Sequence, residues 1–140
     1  MYQNHHSVFF GFCDPADNRV KIVNDSNSAI YYFYSCDSSL LDLDIFRTGY
    51  YSDSKGPTSL VTSDQFIEKR SALNLIRRGD NAWMEFFNSC ENKRIHFFIF
   101  TDSTVNNHSD SEIKYKMLFD KHLTFTLDEL EKEEWIIRYQ

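Results

Sequence analysis

Apolar residues along this chain recur mostly at every second position, the spacing of a strand whose side chains alternate between two faces. Two runs near the start, 19–23 and 29–35, are β-branched or aromatic, and Asn24-Asp25-Ser26-Asn27-Ser28 between them tolerates turn conformations. The pair reads as a hairpin. In its second run Ile30, Tyr32 and Tyr34 fall on one face and Tyr31, Phe33 and Ser35 on the other, so that strand is apolar on both sides, as an interior strand is. From Asp37 to Thr62 the pattern breaks into polar, irregular sequence, which predicts loops and short edge strands, one of them over 44–48.

Thr62 and Gln65 have the spacing of a capping box, which predicts a helical turn or two over 64–69, followed by a strand over 72–77. Asp80 or Asn81 can then cap a helix in which Trp83, Phe86, Phe87 and Cys90 fall at i, i+3, i+4 and i+7 and bury one stripe. Ile95 to Phe100 is the most apolar strand candidate and belongs at the centre of a second sheet, stopped by Thr101-Asp102-Ser103.

Two patterns compete after that. Ser109 and Glu112 offer another cap, but Ile113, Tyr115, Met117, Phe119, Leu123, Phe125 and Leu127 alternate, and the period of two predicts a strand over 115–125. The end of the chain is sharper. Thr126 reads as an N-cap answered by Glu129, Phe125 and Leu130 fall at the two positions of a hydrophobic staple, and Trp135 to Tyr139 completes a last strand.

About seven strands with one or two short inserted helices make the chain mainly β, and the architecture expected is an antiparallel, Ig-like β-sandwich, with an α+β sheet as the alternative. No repeat or linker divides it. Residues 1–18 form an N-terminal segment and 19–140 a single β-rich domain. With 13 Phe and 8 Tyr against 4 Gly and 2 Pro, composition favours aromatic strands over a loop-dominated scaffold, and both Trp83 and Trp135 are expected in the core.

A formal charge of −6 argues against nucleic acid or an anionic membrane surface as partner. Basic pairs such as Arg77-Arg78 and Lys93-Arg94 are too small to line a groove and read as solvated strand ends. Cys13, Cys36 and Cys90 are odd in number and widely spaced, so at least one thiol stays free or pairs with another chain, and the three read as small half-buried side chains in a reducing compartment. The apolar run Val8-Phe9-Phe10-Gly11-Phe12 is too short for a signal core or a membrane span. The location that follows is cytoplasmic if Met1 is the true start, and the cell envelope if an export signal has been removed.

Candidate chemistry is sparse. His5 and His6 are adjacent and point apart, His96 sits within an apolar run, His108 and His122 read as loop or strand-face residues, and no pair has the spacing of a zinc motif. Asp14, Asp17, Asp37, Asp42 and Asp44 lie in predicted loops and are the candidate ligands for calcium, which takes six to eight oxygens. No nucleophile elbow, phosphate loop or catalytic cysteine frame is present, so no catalytic residue and no cofactor is assigned. Tyr50 and Tyr51, beside adaptable Ser and Gly residues, are the candidate protein contacts.

The segment Val20 to Tyr32, the helix around Trp83, the run Phe97-Phe98-Ile99-Phe100-Thr101-Asp102-Ser103-Thr104 and the ending Leu123 to Leu130 through Tyr139 resemble a group of small proteins of unknown function from gut Bacteroidetes. Some of that group begin with an export or lipoprotein signal, which is not expected in the run that opens this chain, and the resemblance implies no activity, cofactor or site residue. The function expected is non-catalytic binding of another protein. The alternatives are an acidic immunity or antitoxin-like protein, and a hydrolase or carbohydrate-binding module.

Overall fold

The computed structural model describes residues 15–43 and 65–140, and the backbone alone of 50–53 and 56–60. In chain order the elements are β1 (Ala16–Asn24), β2 (Ile30–Ser35), β3 (Tyr50–Asp53), β4 (Gly56–Leu60), β5 (Phe66–Ile67), β6 (Ser71–Arg78), α1 (Ala82–Ser89), β7 (Arg94–Thr101), α2 (Asp102–Asn107), α3 (Asp110–Lys116), β8 (Lys121–Thr126), α4 (Leu127–Lys132) and β9 (Ile136–Tyr139). One sheet has the order β6-β1-β9, a second the order β5-β2-β7-β8, and β3 and β4 pair with each other. The β1–β9 pair is parallel and the other pairs are antiparallel, so the first sheet is mixed.

The chain is mainly β, as its alternation implies, with four short helices among the described residues where one or two were expected. The first hairpin does not form, because β1 and β2 lie in different sheets. Asn24 explains the corner. Its side chain is fully buried, and Nδ2 donates to the carbonyls of Ser28 at 2.8 Å and Glu68 at 3.0 Å. Its Oδ1 accepts from the Ser26 N–H at 3.1 Å, so one amide closes the turn on both sides and ties it to the residues after β5.

Two apolar clusters sit on opposite faces of the second sheet. The larger joins Val20 and Ile22 of β1, Leu75 of β6 and Ile137 of β9 to Ile30 of β2 and to Ile95, Phe97 and Ile99 of β7, so it draws on both sheets. The smaller packs Tyr31, Phe98 and Phe100 against Val105 of α2 and Ile113 of α3. β7 is therefore buried on both faces, as its unbroken apolar run requires.

The expected strand over 115–125 is half right. Ser109 and Glu112 form a reciprocal capping box, α3 follows it, and the strand begins only at Lys121. A box satisfies two orphan amides at once, and the helix then buries Ile113, whereas the alternating positions Tyr115 and Met117 stay exposed. The helical turns expected over 64–69 are overturned where they are described, since Phe66 and Ile67 pair with Tyr31 and Ile30 as a two-residue strand. The strand expected over 44–48 lies outside the described residues. The chain end is as read: Thr126 and Glu129 form a capping box, Leu130 is buried, Phe125 packs on the same cluster, and β9 follows.

Candidate functional site

The site begins with how α1 is held. Trp83 and Phe87 are its buried stripe, and the Trp83 indole N–H donates to the Leu75 carbonyl of β6 at 3.1 Å. Asn81 stands at the N-cap with φ 54° and makes no side-chain cap bond. The cap comes from β1, where Asp17 Oδ2 accepts the Trp83 N–H at 3.0 Å and Oδ1 accepts from Arg19 Nε at 2.8 Å. Burial pushes the Asp17 carboxyl up, and the Trp83 and Arg19 hydrogen bonds with the Arg19 charge outweigh it, so this acid ionises below its ordinary range. Asp17 is thus a structural cap whose oxygens already have partners.

The far end of α1 is fixed covalently. Cys36, just past β2, is joined to Cys90, the helix C-cap, by a disulfide. The expectation of three apolar thiols is corrected for these two, and Cys13 lies outside the described residues. Parity allowed the bond. What sequence could not supply was the position of α1 over the end of β2.

Between β2, β6 and α1 the surface opens into a groove. Tyr34 and Phe86 line it over the buried Trp83, with ring centroids 5.1 Å apart for Tyr34 and Trp83 and 5.6 Å for Tyr34 and Phe86. The Arg77 guanidinium lies 4.2 Å from the centre of the Phe86 ring and 5.5 Å from that of Trp83, and its Nη1 donates to the Tyr34 hydroxyl at 3.0 Å. Arg77 Nε is buried without a hydrogen-bond partner among the described residues. Arg19, Arg94 and Arg138 each face a carboxylate, but among the described residues none pairs with Arg77. Reading Arg77 as a solvated strand end is therefore incorrect. The signal was in β6 itself, where Leu73, Leu75 and Arg77 share the inward face.

The groove has two arms. One, about 480 Å³, runs past Ile76, Arg78, Glu85 and Ser89, and the other, about 560 Å³, past Phe33, Asp37, Asp42 and Gln65. Beside them the outer edge of β6 has no neighbouring strand among the described residues, and Ile76 on it is 66% exposed.

Of the calcium candidates, Asp37 and Asp42 line one arm together and Asp17 is elsewhere, while Asp14 and Asp44 lie outside the described residues. Among the described residues no group of three or more His, Cys, Asp or Glu side chains could hold a metal ion. Tyr50 and Tyr51 open β3, and their side chains lie outside the described residues. Among the described residues no helix is long and apolar enough to cross a membrane. Trp83 is fully buried, and Trp135 is only half-buried beneath Arg19, 5.1 Å from its ring centre.

One pairing escaped sequence reading altogether. His96 of β7 and His122 of β8 bring Nδ1 and Nε2 to 2.9 Å, although the residues are far apart in the chain. The strand register places them: His96 stands opposite Thr124 and His122 opposite Phe98, so the two are diagonal neighbours on one face. Comparison with protein-family models, with curated proteins and with solved structures finds no match to this chain.

Proposed function

We propose that this chain is a non-catalytic binding domain, with its two sheets as the layers of a β-sandwich, and that it holds an extended, carboxylate-bearing segment of another protein in the groove beside Arg77. The observation that carries the reading is Arg77 itself. A guanidinium resting on aromatic faces gains from the ring quadrupole but, among the described residues, is left without a carboxylate of the kind that Arg19, Arg94 and Arg138 each face. An arginine framed by Tyr, Trp and Phe is also the composition that dominates binding energy at protein contacts.

The shape of the partner follows from β6. A strand edge with unpaired N–H and C=O groups accepts an added strand, and an arm beside it takes alternate side chains of that strand. Charge selects the arm. Arg77 and Arg78 stand against Glu85 alone on the β6 side, whereas Asp37 and Asp42 line the other arm with Arg77 as the one cation among its described lining residues. A carboxylate is favoured on the β6 side.

The test is an array of extended, β-prone decamers that each carry one Asp or Glu, compared with the same peptides carrying Asn or Gln. Binding that needs the acid, and that falls more than tenfold in Arg77→Met and in Phe86→Ala, is the expected result. Peptides bound equally by wild type and by Arg77→Met would move the contact elsewhere.

A further inference from the structure

Backbone parity fixes which groups β6 offers at its outer edge. The Lys21 N–H donates to the Trp135 carbonyl at 2.9 Å and the Asp25 N–H to the Tyr139 carbonyl at 2.8 Å, so from Val20 onwards the odd-numbered residues of this stretch turn their backbone groups toward β9. The even-numbered residues turn theirs toward β6, where Val20 stands opposite Leu75 and Ile22 opposite Leu73. Alternation along β6 then leaves the N–H and C=O of Ala72, Asn74 and Ile76 at the outer edge, which no strand covers among the described residues. Side chains divide the other way: Leu73, Leu75 and Arg77 lie inward, while Ala72, Asn74 and Ile76 are exposed.

Beside that edge the space between the sheets is open. A cavity of about 410 Å³ lies there, walled by Tyr32 and Tyr34 of β2, Phe66 of β5 and Leu73 and Leu75 of β6, with no charged side chain among its described lining residues. It adjoins the arm at Arg77, because Tyr34 and Ile76 line both. Along β6, two apolar positions are thus followed by a cation at a spacing of two.

We infer, resting on the reading that a partner's segment lies beside Arg77, that this segment pairs antiparallel with β6 and carries the pattern acid-x-apolar-x-apolar. Residues opposite one another in a ladder share a face, so the side chains opposite Arg77, Leu75 and Leu73 all enter the space between the sheets. An antiparallel strand meets Arg77 first, which places the Asp or Glu before the two apolar residues. Antiparallel pairing is the more stable per residue, and in it the residues opposite Ile76, Asn74 and Ala72 each exchange both backbone bonds. The residue just after the acid faces the exposed Ile76, where a β-branched side chain packs best. A carboxylate shifted to the Leu75 position would be desolvated among leucine and aromatic side chains, away from its cation.

The test titrates the full chain, disulfide intact, into fluorescent decamers that each carry one Asp, and reads anisotropy. Peptides with Leu two and four positions after the Asp should bind more than tenfold tighter than peptides with both leucines moved by one position or placed before the Asp. Ala in place of either Leu should cost tenfold or more, since each buried methylene is worth about a factor of four. N-methylation separates an added strand from a loosely held peptide. A methyl one or three positions after the Asp, on an N–H that faces β6, should abolish binding, whereas a methyl on either Leu, whose N–H faces away, should change it less than threefold. Acid-dependent binding that is lost in Arg77→Met, yet is indifferent to the place of the leucines or tolerates every N-methyl group, would overturn the pattern and leave the contact at Arg77 standing. Asp and Asn peptides bound alike, by wild type and by Arg77→Met, would overturn both.

Discussion

Replacing both Cys36 and Cys90 by alanine in a Cys13→Ser background removes the bond that fixes the end of α1 to the end of β2. The bond closes a loop with a sequence separation of 54. Chain-entropy bookkeeping for a loop of that size gives about 14 cal/mol/K, or about 4 kcal/mol at 25 °C, removed from the denatured ensemble. Because unfolded chains keep some structure, this is an upper figure. A chain of 140 residues unfolds with an entropy of about 0.3 kcal/mol/K, so the double variant should melt about 10–14 °C lower. The assay is calorimetry of both proteins, without reductant and after reduction under denaturing conditions. Reduction should bring the parent down to the variant and leave the variant unmoved. Thiol titration of the denatured, unreduced Cys13→Ser protein should find no free thiol. Two free thiols, or a melting difference below about 3 °C, would refute the argument that a covalent clamp holds α1 over the groove.

Three further outcomes follow. Asp17→Ala removes a helix cap and a charged hydrogen-bond acceptor together and should cost about 2–3 kcal/mol by urea denaturation; because its folded pKa lies below the unfolded value, this contribution is present above about pH 4 and fades as pH falls through the folded value. His96 and His122 bind protons less readily in the folded chain than at their ordinary value of 6.5, so the unfolded state takes up more protons and stability should fall as pH drops below that value; His122→Phe should flatten this slope, and a pH profile unchanged by the substitution would contradict it. Ser109→Ala should cost about 1 kcal/mol and speed hydrogen exchange of the α3 amides first, and unchanged exchange there would mean that the cap does not select helix over strand.

What sequence could reveal here divides along a physical line. Where the deciding interactions are local, pattern and structure agree: the Thr126–Glu129 box with its Phe125–Leu130 staple spans six residues and needs no other part of the chain. The unbroken apolar run of β7 likewise reports burial on two faces whatever covers it. Locality also explains the error over 115–125, since the Ser109 cap was visible and was outweighed by an alternation of which Tyr115 stays 73% exposed. Period two counts only if one of its faces is covered, and that depends on tertiary contacts.

The groove and the histidine pair depend on such contacts entirely. Asp17 caps a helix that begins 65 residues later, Cys36 bonds across 54, and Arg77 meets Tyr34 and Phe86 only after β6 and α1 fold beside β2. None of these pairings leaves a spacing to read. What remained legible for Arg77 was a conflict: a charged residue on the face of β6 that carries Leu73 and Leu75. Desolvating a guanidinium is costly unless charge and hydrogen bonds answer it, and here aromatic faces and one hydroxyl answer only in part. Among the described residues the buried Arg77 Nε is left without an acceptor in a chain that satisfies Asn24 from three directions, so the conflict read on β6 is one that folding itself does not resolve.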